Sequence, residues 1–155
     1  MGGAIMRKIV LGAALGVLLF AANGRAGENL KLNPHLDYSS DSMDGPHITG
    51  DHMGQSALAG VPNYVLIYGQ GCYNSKRQSR RTVELYGKFR GRVNFVIIDL
   101  DTGPSAEQAE LVKKYYQGSI PHVVILDRMG KSAYDAAGEV SEQEISGILE
   151  KALAR

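Results

Sequence analysis

Tyr64-Val65-Leu66-Ile67-Tyr68-Gly69-Gln70-Gly71-Cys72-Tyr73-Asn74-Ser75-Lys76 is the stretch on which the reading of this chain turns. Its first five residues form a short apolar run of the kind a buried strand carries. Gly-Gln-Gly breaks that run, and a helix-length segment follows from Tyr73 to about Arg90. The chain's single cysteine therefore stands where a strand gives way to a helix. Unpaired N–H groups and the positive end of the helix dipole gather there, and both favour thiolate over thiol. Lys76, Arg77, Arg80, Arg81, Lys88, Arg90 and Arg92, opposed only by Glu84, add positive charge along the same stretch. Such a run is a solvated helix face, or else a surface for an acidic partner or for an acidic segment of the chain itself.

Downstream the strand and helix signals alternate. Val93–Leu100 reads as the next strand. Ser105-Ala-Glu-Gln108 is a capping box opening a helix to Gln117, stopped by Gly118, and Leu111 with Tyr115 and Val112 with Tyr116 give it an apolar face. His122–Asp127 and Lys131–Asp135 flank Arg128-Met129-Gly130, a hairpin in which Gly130 supplies the positive φ of a tight turn. Ser141-Glu-Gln-Glu144 starts a last amphipathic helix carrying Ile145, Ile148, Leu149, Ala152 and Leu153. The order from Tyr64 is strand, helix, strand, helix, strand, strand, helix.

That order, with Gly71-Cys72-Tyr73-Asn74-Ser75-Lys76 at the first strand-to-helix turn and Ser119-Ile120-Pro121 opening the third strand, resembles the thioredoxin family across roughly residues 55 to 154. The family's Trp-Cys-Gly-Pro-Cys-Lys aligns with the first motif and its Gly-Ile-Pro with the second. Asp127–Gly130 aligns with its hairpin turn and Gly138 with the glycine after its last strand. The resemblance implies an α/β thioredoxin-like fold, a central mixed sheet of four or five strands flanked by helices, and a cis bond before Pro121. Three departures matter. Ser75 replaces the resolving cysteine, so an internal C-x-x-C disulfide cannot form. Leu66 replaces a buried acid, and Gly71 replaces the tryptophan before the nucleophile.

The implied chemistry is thiol–disulfide exchange through a mixed disulfide. Cys72 is the nucleophile, Ser75 donates a hydrogen bond to its thiolate, and Tyr73, Asn74, Ile120, Pro121 and His122 contact substrate. Without a second thiol, release falls to a substrate thiol, a small thiol or a partner protein. That suits an isomerase-like or thiol-retention role, with cysteine-containing exported proteins or low-molecular-weight thiols as partners and no organic cofactor. Blander readings stand beside it: an inert buried Cys72, a Ser75 that is merely small and polar, and a His122 that merely begins a strand. A redox-inert peptide-binding module on the same fold is the alternative function. A metal carrier is the third reading, resting only on Cys72 and on His35, His47 and His52, which fall at no recognised metal spacing.

The remaining features bound location and partners. Arg7-Lys8, the apolar Ile9–Ala22 and the small residues Gly24 and Ala26 have the layout of a secretory signal over residues 1–26. An apolar run of about 14 residues is short of the roughly 20 that span a bilayer, which favours a cleaved signal and a periplasmic or secreted protein over a permanent anchor. Residues 1–26 carry Arg7, Lys8 and Arg25 and no acid, so their removal leaves 14 basic against 16 acidic residues. Neither that balance nor the +1 charge of the whole chain supplies the basic excess that nucleic-acid binding draws on. Residues 27–54 are polar and rich in turn formers, and read as a linker or an acidic N-terminal arm with one short edge strand near Pro46–Thr49, able to fold over the site as a cover. Residues 55–155 form the domain itself. The oligomeric state is not legible.

Overall fold

The computed structural model describes residues 24–155. β3 (Asn63–Tyr68), β4 (Asn94–Asp99), β5 (His122–Leu126) and β6 (Ser132–Ala137) form one sheet in the order β4-β3-β5-β6. β3 runs parallel to β4, with Leu66 opposite Ile97, and antiparallel to β5, with Ile67 opposite His122. The parallel pair needs a crossover, which α1 (Tyr73–Phe89) supplies, and α2 (Ala106–Tyr115) carries the chain from β4 to β5. The mixed sheet thus has four strands.

Strand alternation sorts the core into two layers. Tyr64, Leu66, Tyr68, Phe95, Ile97, Val123 and Ile125 pack with Leu85 and Phe89 of α1 and with Ile145 and Leu149 of α3 (Glu142–Leu153). Val65, Ile67, Val96, Ile98, Val124 and Leu126 pack instead with Leu111, Val112, Tyr115 and Tyr116. The two apolar pairs read on α2 therefore meet the sheet as their spacing requires. The Ser105–Gln108 capping box is complete, and Ser141 accepts the N–H of Glu144. Gly130 takes φ +78° in a hairpin closed by Asp127 N–H to the Lys131 carbonyl.

Residues 27–54 are not a linker. β1 (Glu28–Leu32) and β2 (Ile48–Asp51) make an antiparallel pair beside α1, and Leu30 and Ile48 join the core. The polar composition hid this because each strand contributes few apolar residues to the core while its other side chains face water. Residues 1–23 of the expected export signal lie outside the described residues. Its last residue, Ala26, is 2% exposed and donates its N–H to Asn94 Oδ1 at 2.8 Å, so the fold already includes the position after which cleavage was expected. Among the described residues no helix is long and apolar enough to cross a membrane.

Candidate functional site

β3 ends at Tyr68, and the chain must turn through Gly69-Gln70-Gly71 before α1 can start. Gln70 is held at three points: its N–H by Asp101 Oδ2 at 2.7 Å, its side-chain NH2 by Asp99 Oδ2 at 2.8 Å, and its backbone carbonyl by His47 Nε2 at 2.7 Å. A turn bonded in this way fixes the direction in which the next side chains leave.

Cys72 is the N-cap of α1, with φ −124° and ψ 116°. Its sulfur accepts the Ser75 N–H at 3.4 Å, while its carbonyl accepts the Lys76 N–H at 3.0 Å. The cysteine is partly exposed, as a nucleophile at a strand-to-helix turn needs to be. Sulfur thus occupies the place an oxygen takes in an ordinary N-cap, satisfying one of the helix's orphan donors.

Ser75 lies beneath it, fully buried. Its role differs from the expected one: the backbone N–H of Ser75 meets the sulfur, and its hydroxyl turns inward to accept the Gly69 N–H at 3.5 Å. The side chain braces the turn. Tyr73 and Asn74 are exposed on the first turn, where Arg77 lies over the Tyr73 ring at 4.9 Å and donates to Asn74 Oδ1 at 3.4 Å.

The 119–121 segment sits against the same turn. The β3–β5 register ends at Ile67 opposite His122, so the next residues outward bring Pro121 and Ile120 alongside Tyr68 and Gly69. A Cβ placed on Gly69 would meet Ile120 Cδ1, so the isoleucine side chain packs directly over the turn. The Ile120–Pro121 peptide is cis, and the Pro121 carbonyl accepts the Gly138 N–H at 2.7 Å. His122 does not join Cys72. It is buried, bonds Asp135 Oδ1 through Nε2 at 2.6 Å, and leaves Nδ1 buried without a partner. Strand alternation turns it to the α2 face, with Val124 and Ile67, whereas α1 packs on the other face.

The most consequential departure from the sequence reading is Lys76. Instead of adding charge beside the thiol, its side chain is 0% exposed and its ammonium is enclosed by the arm. It donates to the Asp37 carbonyl (2.7 Å), the Ser42 carbonyl (2.8 Å), Ser42 Oγ (2.9 Å) and Asp44 Oδ1 (3.0 Å). The Asp37 N–H, received by Asp44 Oδ2 at 2.9 Å, and then the Lys76 ammonium hold the Asp44 carboxyl well below the usual range. The same loop sends Asp41 Oδ1 to the Tyr73 N–H at 2.7 Å and lays Met43 beside Gly71. Further along α1 the basic face is answered by α3 and its approach: Arg77 and Arg81 bond Glu139, and Lys88 bonds Glu142.

His47, which the sequence reading weighs only as one of three scattered histidines for a metal, lies buried under the site. It stacks on Tyr68 at 4.5 Å, bonds Ser79 Oγ through Nδ1 at 3.2 Å, and donates its backbone N–H to the Tyr68 hydroxyl at 3.0 Å. A carbonyl only accepts, so Nε2 carries the hydrogen. Burial pushes this imidazole below its ordinary range, against the pull of the Gln70 carbonyl. Burial and the Asp99 carboxylate push the Tyr68 phenol far up, keeping it a neutral donor to Asp99 Oδ2 at 3.2 Å. The one sequence signal for His47 was its place in the expected strand at Pro46–Thr49. His35, His47 and His52 do not converge with Cys72, and among the described residues no three His, Cys, Asp or Glu side chains are grouped to hold a metal ion.

This geometry can be set beside known proteins. Solved structures share the architecture: a thioredoxin-2 of the malaria parasite superposes over 63% of this chain and 88% of its own, with TM-score 0.51 and 16% identity. A thioredoxin-like protein from Clostridium perfringens superposes over 61% and 73%, with TM-score 0.51 and 21% identity. The fold is thioredoxin-like. In sequence the chain is similar to a thiol:disulfide interchange protein TxlA homolog of a Synechocystis strain, at 29% identity over 94 residues, 58% of this chain. The chain spans 51% of that protein's length. No protein-family model matches it.

Proposed function

We propose that this thioredoxin-like chain is an exported protein that takes part in thiol–disulfide exchange through a mixed disulfide at Cys72. The placement of Cys72 carries the reading: a partly exposed N-cap whose sulfur accepts a helix N–H, after a turn held at Gln70 by Asp99, Asp101 and His47 and packed against Ile120. The similarity to a thiol:disulfide interchange protein supports it.

In the step, the Cys72 thiolate attacks one sulfur of a substrate disulfide. A bond forms from Sγ to that sulfur, the substrate S–S bond breaks, and the other sulfur leaves with the electron pair and takes a proton from water. No net oxidation occurs. Ser75 offers no second thiol, so an outside thiolate must attack the mixed disulfide and expel Cys72 again. Tyr73, Asn74 and the Ile120–Pro121 backbone are placed to flank a bound substrate; His122 supports the β5 start through Asp135.

The test is to mix the protein with a protein disulfide, quench with alkylating agent and look for a covalent adduct by non-reducing electrophoresis and mass spectrometry. The adduct should form with the native protein, be absent with Cys72→Ala, and persist until an external thiol is added. Absence of any adduct with the native protein refutes the reading.

A further inference from the structure

Resting on that exchange reading, we propose that Cys72 is selective for cysteines on neutral-to-cationic polypeptide segments with an apolar residue beside the sulfur, and discriminates against small anionic thiols. Two independent features of the rim carry this inference, one apolar and one electrostatic.

The apolar feature is a pair of exposed side chains. Among the described residues three large hydrophobics are exposed, Met43 (66%), Tyr73 (36%) and Met129. Met43 and Tyr73 flank Cys72. Tyr73 follows it in sequence, and Met43 is brought up by the arm, its Cβ 3.7 Å from where a Gly71 Cβ would be. Their positions suit an extended chain passing over the sulfur, with an apolar side chain against either lip. A small thiol has nothing to place there.

The electrostatic feature reverses what the sequence of α1 suggests. Asp41 and Asp101 are exposed, and each fixes a backbone N–H within two residues of Cys72: Asp41 that of Tyr73, Asp101 that of Gln70, both at 2.7 Å. Among the described residues neither has a cationic partner. Of the cations nearby, Lys76 is enclosed by the Asp37–Asp44 loop, and Arg77, on the Tyr73 side of the rim, is paired with Glu139, which it shares with Arg81. Asp44 pairs with Lys76, the Asp37 carboxylate accepts from Ser39, and Asp99 is bonded to Tyr68 and Gln70. A ligand at the sulfur meets the exposed Asp41 and Asp101 carboxylates, neither paired with a cation, which attract a cationic segment and repel a thiol such as glutathione with its net negative charge.

The test compares the rates at which native protein reacts with three peptides of pattern X-Leu-Cys-Leu-X, blocked at both ends, with X being Lys, Gln or Glu, and with glutathione. Each probe is activated as a 2-pyridyl disulfide. Attack by Cys72 forms the mixed disulfide and expels 2-thiopyridone, read by absorbance, and every rate is divided by that of N-acetylcysteine amide with the same probe. The Lys peptide should react about tenfold faster than the Glu peptide at low ionic strength, a spread that narrows as salt shortens the Debye length. Glutathione should be slowest. The double variant Asp41→Asn with Asp101→Asn, which keeps both acceptors, should bring the Lys and Glu peptides within about twofold. Met43→Ser should slow the Gln peptide relative to one with Ser in place of Leu. Equal normalised rates for all probes, or a spread that survives the double variant, overturn the selectivity and leave the exchange reading intact. No reaction with any probe overturns both.

Discussion

Replacing Lys76 with methionine should release the arm from α1 without unfolding the domain. Methionine keeps most of the buried stem and removes only the ammonium, which makes two short bonds to main-chain carbonyls, at 2.7 and 2.8 Å, and two to Ser42 Oγ and Asp44. Hydrogen bonds to a charged group are worth about 1.5–3 kcal/mol each and do not add fully, so the loss is about 3 kcal/mol. The penalty falls on one opening equilibrium: the Asp37–Asp44 loop can lift and let water take its carbonyls, while β3, β4 and β5 stay packed. At tenfold per 1.4 kcal/mol, opening should become about a hundredfold more favourable. Hydrogen exchange by mass spectrometry reads this directly, because the Asp37 amide is bonded to Asp44 Oδ2 at 2.9 Å in the closed arm. Peptides covering 35–46 should lose about two orders of magnitude of protection, while those covering β3 and β5 change little. Protection of 35–46 within about threefold of the native value would refute the reasoning, and would mean that the arm is held by its other bonds, such as Tyr38 hydroxyl to the His47 carbonyl.

Three further outcomes follow from the same geometry. Because burial depresses the His47 imidazole in the fold, the unfolded chain binds more protons as pH falls below about 6.5, so stability is full above that value and declines with acidification. Denaturant unfolding from pH 8 to 5 should show the decline, and His47→Gln should flatten it; an equal slope in both proteins counts against the assignment. Asp135→Ala leaves buried His122 with neither ring nitrogen bonded and should cost about 1–3 kcal/mol, read by denaturant unfolding, whereas an unchanged midpoint would show that the pair is dispensable. Ser75→Cys places a second thiol one helical turn from Cys72 and should yield an internal disulfide, seen as a mass loss of about two hydrogens and as release of bound substrate without an outside thiol; persistent mixed disulfides in that variant would contradict it.

Much of the fold was legible because its signals are short-range. The runs at 64–68, 94–99 and 122–126 needed only β-propensity and flanking breakers, the Ser105 and Ser141 caps are bonds between residues three apart, and Gly130 marks a turn that few other residues tolerate. The resemblance implied a mixed sheet, but the register of β3 between β4 and β5 was not legible, since all three strands are buried nearly throughout and alternation cannot set it. β1 escaped because Glu28–Leu32 and Ile48–Asp51 carry too little apolar weight to stand out from a polar segment.

The candidate site divides along the same line. That Cys72 caps a helix and that no second thiol follows it could be read from the chain, because a strand, a break and a helix in succession dictate the first and the residue types dictate the second; that Ile120-Pro121 meets the same turn was implied only by the thioredoxin resemblance. Only the tertiary structure decided what surrounds the sulfur. Lys76 meets the Asp37 carbonyl across 39 residues, Asp41 meets Tyr73 across 32 and His47 meets Gln70 across 23. Bonds of that span leave no periodic trace in a sequence. The physical reason is that a polar segment has no pattern until something buries it, and here the enclosure of a single ammonium brings an acidic loop over a helix whose own residues are basic.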